Sequence, residues 1–201
     1  MTNKKYKLCR RLGAGIYEKC QTAKFAQSEP VTKRGKKPGG RRSDYGNQLI
    51  EKQKVRFMYG VREKQFGNYV AHAMEHGKKG TTPADLLFRQ LEQRLDNAIY
   101  RLGFANTRAL ARQMASHGHF TVNGKKLTIP SYALKHGDVI AIREGSKTTT
   151  LFKDIAVKLK PIKKPDWFKF DEAATTATVT GDPKNPEPFL NFQVVIEFYS
   201  R

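Results

Sequence analysis

The chain has 201 residues, enough for one or two modest domains with real cores, and its 38 Lys and Arg against 18 Asp and Glu give a formal net charge of +20. An excess of that size self-repels and points to a polyanionic partner, either nucleic acid or an anionic membrane. No apolar run approaches the roughly 20 residues of a spanning helix, so the expectation is nucleic acid, with no membrane.

Residues 1–42 hold 13 Lys and Arg against Glu18 and Glu29, and Lys33 to Arg42 (KRGKKPGGRR) is broken by Gly and Pro and almost purely cationic. Such a run cannot bury enough apolar surface to fold alone, so it reads as an arm that orders on its partner. Cys9 and Cys20 are too few and too far apart for a disulfide framework or a CxxC zinc knuckle, and are expected as reduced thiols. The basic N-terminus lacks the apolar stretch of a secretory signal, although its composition also fits a transit peptide.

Ser43 to Met74 reads as two helices. Ser43 or Asp44 caps the first, Gly60 breaks it, and the second, around Arg62 to His76, stops at Gly77. Thr82-Pro83-Ala84-Asp85 is a well-formed helix start, and Leu87, Leu91, Leu95, Ile99 and Leu102 then form one stripe up to Gly103. Asn106 or Thr107 caps a short helix with Leu110, Ala111, Met114 and Ala115 inward and only positive charges, Arg108 and Arg112. A hairpin turning at Asn123-Gly124 follows, since a type I′ turn needs positive φ at both central residues. Lys135 to Asp138 then lead into a last apolar strand ending at Ile142. Beyond it, Trp167–Phe170, Thr175–Thr180 and Phe192–Tyr199 read as strand-like or mixed apolar segments broken by prolines. Residues 161–201 hold five basic and six acidic side chains, so the cationic surface belongs to the first three-quarters of the chain.

Two motifs suggest chemistry. His72-Ala73-Met74-Glu75-His76 matches the H-x-x-E-H of inverted zincins, with two imidazoles one turn apart. The reading preferred here is that the histidines favour the negative end of a helix just before Gly77, with no metal bound. Arg94-Leu95-Asp96 is similar to the R-L-D run of RNA pseudouridine synthases, whose aspartate is catalytic. Here Asp96 is expected on a solvated, mixed-charge helix face among Arg89, Glu92 and Arg101. GKKPGG lacks the ending of a phosphate-binding Walker loop. No enzyme activity, cofactor or small-molecule substrate is expected.

Thr107 to Ile142 (TRALARQMASHGHFTVNGKKLTIPSYALKHGDVIAI) resembles the S-four RNA-binding module. With Ser43–Val70, Leu91–Phe104 and the ending VIEFYSR, nearly the whole chain resembles the bacterial-type small-subunit ribosomal protein S-four family. The N-terminal KLCRR belongs to the same pattern and sets aside the transit peptide. The resemblance implies an α+β fold: a basic arm over 1–42, a helical domain over 43–90 rejoined by 185–201, and an inserted αα-β RNA-binding domain with a small antiparallel sheet over 91–184, its core at 91–145. It also implies a cytoplasmic protein of the small ribosomal subunit, a primary binder that organises a multi-helix junction in 16S-type rRNA during assembly. Contact with neighbouring small-subunit ribosomal proteins in the accuracy region is implied too. The arm would lie near the channel through which mRNA enters, making Lys36, Lys37, Arg41 and Arg42 backbone contacts. Some relatives hold zinc through four arm cysteines; only Cys9 matches that pattern, so no metal is expected and the arm between Gly13 and Pro38 would be held by RNA. The expected phosphate clamps are Arg94, Arg101, Arg108, Arg112, Lys125 and Lys126, with Gln113, Ser116, His117 and Tyr132 reading shape or stacking. The alternatives are an RNA-modifying enzyme or its targeting module, and an RNA-heat-shock-type binder of large subunits.

Overall fold

A computed structural model of the chain describes residues 5–27, 43–77, 80–153, 155, 159, 162–172, 174–184 and 188–200. The chain divides into two compact units, Met1–Leu87 with Pro186–Arg201, and Phe88–Asn185. The architecture is α+β.

The first unit is helical. α1 (Lys5–Leu12) and α2 (Ala23–Gln27) flank two short 3-10 turns. Cys9 and Cys20 are buried there with Phe25, and Tyr6 and Tyr17 pack on them. Contrary to the expectation of free thiols, Cys9 and Cys20 form a disulfide. α1 and the turn at Glu18–Gln21 bring the two cysteines together despite a separation of 11 residues, a closure that spacing alone does not reveal. Cys20, Phe25 and Tyr17 thus share a small core with Cys9 and Tyr6, and residues 28–38 of the arm lie outside the described residues. Lys36, Lys37, Arg41 and Arg42 lie outside the described residues.

α3 (Asp44–Met58) starts where expected, with Ser43 Oγ accepting the Gly46 N–H at 3.2 Å, and the chain turns at Gly60 with φ 62°. α4 (Glu63–His76) follows. The segment Phe192–Tyr199, read as strand-like or mixed, is a helix, α9, capped by Asn191. Its β-branched residues favour a strand, but Phe192, Val195 and Ile196 share one helical face and are buried, and that burial outweighs local preference. α9 packs chiefly on α3 and also touches α4. Lys52 is buried, pairs with Glu63 and lies over the Phe198 and Tyr199 rings.

α5 (Pro83–Glu92) begins with the expected box: Thr82 Oγ1 accepts the Asp85 N–H at 3.1 Å and donates to Asp85 Oδ2 at 2.8 Å. The single helix expected to run on to Gly103 is instead two. The chain opens at Arg94 (ψ 138°) and α6 spans Leu95–Arg101. The reason is tertiary: Leu95 and Asp96 donate their N–H groups to the carbonyls of Tyr132 and Pro130 at 2.9 and 3.0 Å, and Leu134 donates to Gln93 O at 2.8 Å. The loop after the hairpin takes bonds that the helix would otherwise make within itself.

In the second unit α7 (Arg108–Ser116) is capped by Thr107, whose Oγ1 accepts the Leu110 N–H at 3.2 Å. β1 (Phe120–Val122), β2 (Lys125–Lys126), β3 (Val139–Ile142), β4 (Phe168–Asp171) and β5 (Thr176–Val179) form an antiparallel sheet in the order β2-β1-β3-β5-β4, with α8 (Glu144–Lys147) after β3. Phe120, Val122, Ile140, Ile142, Ala177 and Val179 alternate onto one face and share a core with Leu95, Ile99 and Leu102 of the α6 segment and Ala111 and Met114 of α7.

Candidate nucleic-acid interface

The Asn123-Gly124 turn has φ 51° and 76°, the double positive pair the hairpin requires. Asp138 braces it: one carboxylate oxygen accepts Asn123 Nδ2 at 2.8 Å, and the other accepts the Lys135 N–H at 2.8 Å. The turn carries Lys125 and Lys126, both exposed, at the sheet edge.

Behind the hairpin, α6 and α7 hold four arginines against two carboxylates. Asp96 is 2% exposed, not solvated as expected: it accepts Arg94 Nε and Nη2 at 2.9 and 2.8 Å, and Arg112 Nε at 2.7 Å. Its place in the first turn of α6 explains the difference, since the helix break turns it toward α7. Glu92, also 2% exposed, accepts Arg101 Nε and Nη2 at 3.0 and 2.8 Å and Asn97 Nδ2 at 3.0 Å. Asn97 Oδ1 in turn accepts Arg108 Nε at 2.9 Å, and the Arg108 guanidinium lies over the Tyr100 ring. Each carboxylate thus accepts at least three hydrogen bonds, which is the condition for holding buried charge.

The ten residues singled out in this domain therefore separate. Arg94 and Arg108 are buried, at 5% and 8% exposure, and serve the internal frame. Arg101 and Arg112 are half-buried, while Gln113, Ser116, His117, Lys125 and Lys126 are exposed. Tyr132 is half-buried against the core, and its carbonyl caps α6. Sequence reasoning omitted Arg143, which the β1–β3 register sets beside His119: Phe120 pairs with Ile142, and the Arg143 N–H donates to His119 O at 2.9 Å. The alternation of β3 held that signal, but only once its pairing with β1 was known.

In the first unit, the His72 and His76 rings stack at 4.1 Å, and His76 Nδ1 lies 3.0 Å from His72 O at the end of α4. Among the described residues no group of three His, Cys, Asp or Glu is placed to hold a metal ion, and no helix is long and apolar enough to cross a membrane. Asp96, clamped between two guanidinium groups, is not open to a substrate base.

Residues 1–92 match the family described as the ribosomal protein S4/S9 N-terminal domain, and residues 93–140 match the S4 domain. The chain is 46% identical over 202 residues to the small ribosomal subunit protein uS4 of Roseiflexus sp. (strain RS-1), covering 97% of this chain and 96% of the relative. The chain belongs to the uS4 family. The uS4 of Akkermansia muciniphila is 41% identical over all of this chain and 98% of its own, and that of Chloroflexus aurantiacus is 44% identical over 97% and 96%. The boundary between the two family regions falls at the helix break between Glu92 and Leu95, where the second unit's buried arginine frame begins.

Proposed function

We propose that this uS4-family chain is a structural, rRNA-binding constituent of the small ribosomal subunit and not an enzyme. In this reading it organises a multi-helix junction of 16S-type rRNA during assembly. The observation that carries it is the set of basic and polar side chains that the second unit leaves exposed or half-buried: Lys125 and Lys126 on the hairpin, Arg112, Gln113 and Ser116 on α7, His117 just after it, and Arg101 at the end of α6. Basic and polar side chains presented in this way read RNA shape and backbone rather than base edges. Arg94 and Arg108 enter as residues that hold Asp96 and Asn97 in place, and Tyr132, half-buried against the core, as a stacking partner.

The finer roles belong to the same reading. Lys36, Lys37, Arg41 and Arg42 supply backbone contacts to mRNA near the channel through which it enters, and a neighbouring small-subunit protein is met in the accuracy region. Two measurements test the core of it. In high salt the protein should co-sediment with small subunits; recovery with large subunits would refute the assignment. If roughly eight phosphates are neutralised, log affinity for small-subunit rRNA should fall against log salt with a slope of about −6 to −7. A slope near zero would end the electrostatic account.

A further inference from the structure

Arg94, Arg101 and Arg112 pair with two carboxylates, but a second group of cationic and titratable side chains has none among the described residues. It surrounds Gly118, the turn between α7 and β1, which has φ 72°. The His117 and His119 rings flank it with centroids 6.1 Å apart. The Lys126 side chain crosses it so closely that a Cβ at position 118 would sit 2.3 Å from Lys126 Cε. His119 Nδ1 lies 3.0 Å from Ser146 Oγ, and Arg143 Nε donates to the same hydroxyl at 3.4 Å. Ser146 is fully buried, which fixes both partners at one point. The Phe152 ring closes the other side of His119 at 5.8 Å. The nearby acid Glu144 is occupied by Lys147 at 2.6 Å. Among the described residues, His117, His119, Lys126 and Arg143 form no ion pair with a carboxylate.

We propose that His117, His119, Lys126 and Arg143 form a second phosphate-binding cluster, separate from the α6–α7 arginine frame, which takes one rRNA backbone phosphate at the α7–β1 turn. The proposal rests on the rRNA-binding reading above and adds a site to it. Four such groups gathered around one turn, with no carboxylate paired to them among the described residues, repel one another until an anion enters. An exposed lysine and a guanidinium anchored on a buried serine are both donors to phosphate, which accepts from several donors at once.

The cluster has a consequence for pH. In the free protein His119 is held below the ordinary imidazole value, first by burial and then by His117 and Arg143. A phosphate beside the ring reverses the sign of the dominant neighbouring charge and favours the imidazolium. Protonated His119 donates Nδ1–H to Ser146 Oγ and presents Nε2–H to the anion. The bound-state pKa then exceeds that of the free protein, so binding takes up a proton. Affinity rises as pH falls through the bound-state value and levels off below the free-state value. The other titratable and charged groups facing the ring are His117 at the end of α7, Lys126 from β2 and Arg143 after β3.

The test measures affinity of the full chain for small-subunit rRNA between about pH 5.5 and 8, where imidazole titrates. Wild type should bind several-fold more tightly at the acid end. His119→Gln, which keeps an amide for Ser146, should bind more weakly there and lose most of the pH dependence, the remainder belonging to His117. Arg143→Gln should reduce the salt slope by about 0.7–0.9. His136→Gln, a control whose Nε2 lies 2.9 Å from Thr180 O, should behave as wild type. pH-independent binding by wild type, or full pH dependence in His119→Gln, overturns the cluster and leaves the rRNA-binding reading intact. Absence of rRNA binding at every pH overturns that reading, and the cluster with it.

Discussion

Arg112 Nε donates to Asp96 Oδ2 at 2.7 Å, a bond that crosses 16 positions of the chain and ties α7 to α6. Arg94 grips the same carboxylate, so one buried acid sets the spacing of the two helices behind the cationic face. Asp96→Asn removes the charge that balances Arg94 in a site of 2% exposure. Breaking a buried pair in this way costs about 3–5 kcal/mol. Urea denaturation should show a lower midpoint with an unchanged slope; a midpoint within error of wild type would contradict the role given to Asp96.

Arg112→Met should be milder, because its side chain is 34% exposed and water already screens the pair. A loss of about 1 kcal/mol or less is expected in the same denaturation series. A loss equal to that of Asp96→Asn would show that Arg112, not Arg94, is the main partner of the acid.

Lys125 and Lys126 stand at the exposed sheet edge, where truncation disturbs no core. Lys125→Ala with Lys126→Ala should leave the unfolding midpoint within about 0.5 kcal/mol of wild type. The salt slope of rRNA binding should shrink by about 1.5, the share of two phosphates. An unchanged slope would remove the hairpin from the interface.

The Cys9–Cys20 disulfide closes a short loop around the small core of Phe25, Tyr6 and Tyr17. By the chain-entropy estimate, a loop of this length contributes about 3 kcal/mol. Reduction, or Cys9→Ser with Cys20→Ser, should lower hydrogen-exchange protection over residues 5–27. The two treatments should agree, and equal protection in oxidised and reduced protein would show that the aromatic core suffices.

Tyr199 donates to Glu63 Oε1 at 3.4 Å. Burial, and then the Glu63 carboxylate, push its phenol from 10.0 up to about 12. A raised value means that the fold favours the neutral phenol. Its contribution is complete below pH 10 and is lost as pH rises toward about 12. Tyr199→Phe should therefore remove one component of alkaline destabilisation, read as a smaller change in unfolding midpoint between about pH 9 and 11.

The Ser43 and Thr82 caps, the Thr107 cap, the Asn123-Gly124 hairpin and the glycine stops at Gly60 and Gly118 were all legible in the sequence. Each depends on a few adjacent residues: a side-chain oxygen for orphan N–H groups, or a glycine for a positive φ. The net charge and its concentration away from residues 161–201 were likewise plain from composition.

Other features were settled by groups distant in the chain. The stripe from Leu87 to Leu102 describes one helix, yet carbonyls of Pro130 and Tyr132 split it at Arg94. Phe192–Tyr199 prefers a strand locally, yet the burial of Val195 and Ile196 makes it a helix. The disulfide, the clamping of Arg94 by Asp96 and the meeting of His119 with Arg143 follow from folding and strand register. Sequence alone determined that the chain is cationic and where its hairpin and caps lie. Tertiary structure decided which positive charges are neutralised inside and which lie exposed, because charge balance depends on distances in space, and neighbours in the fold are seldom neighbours in the chain.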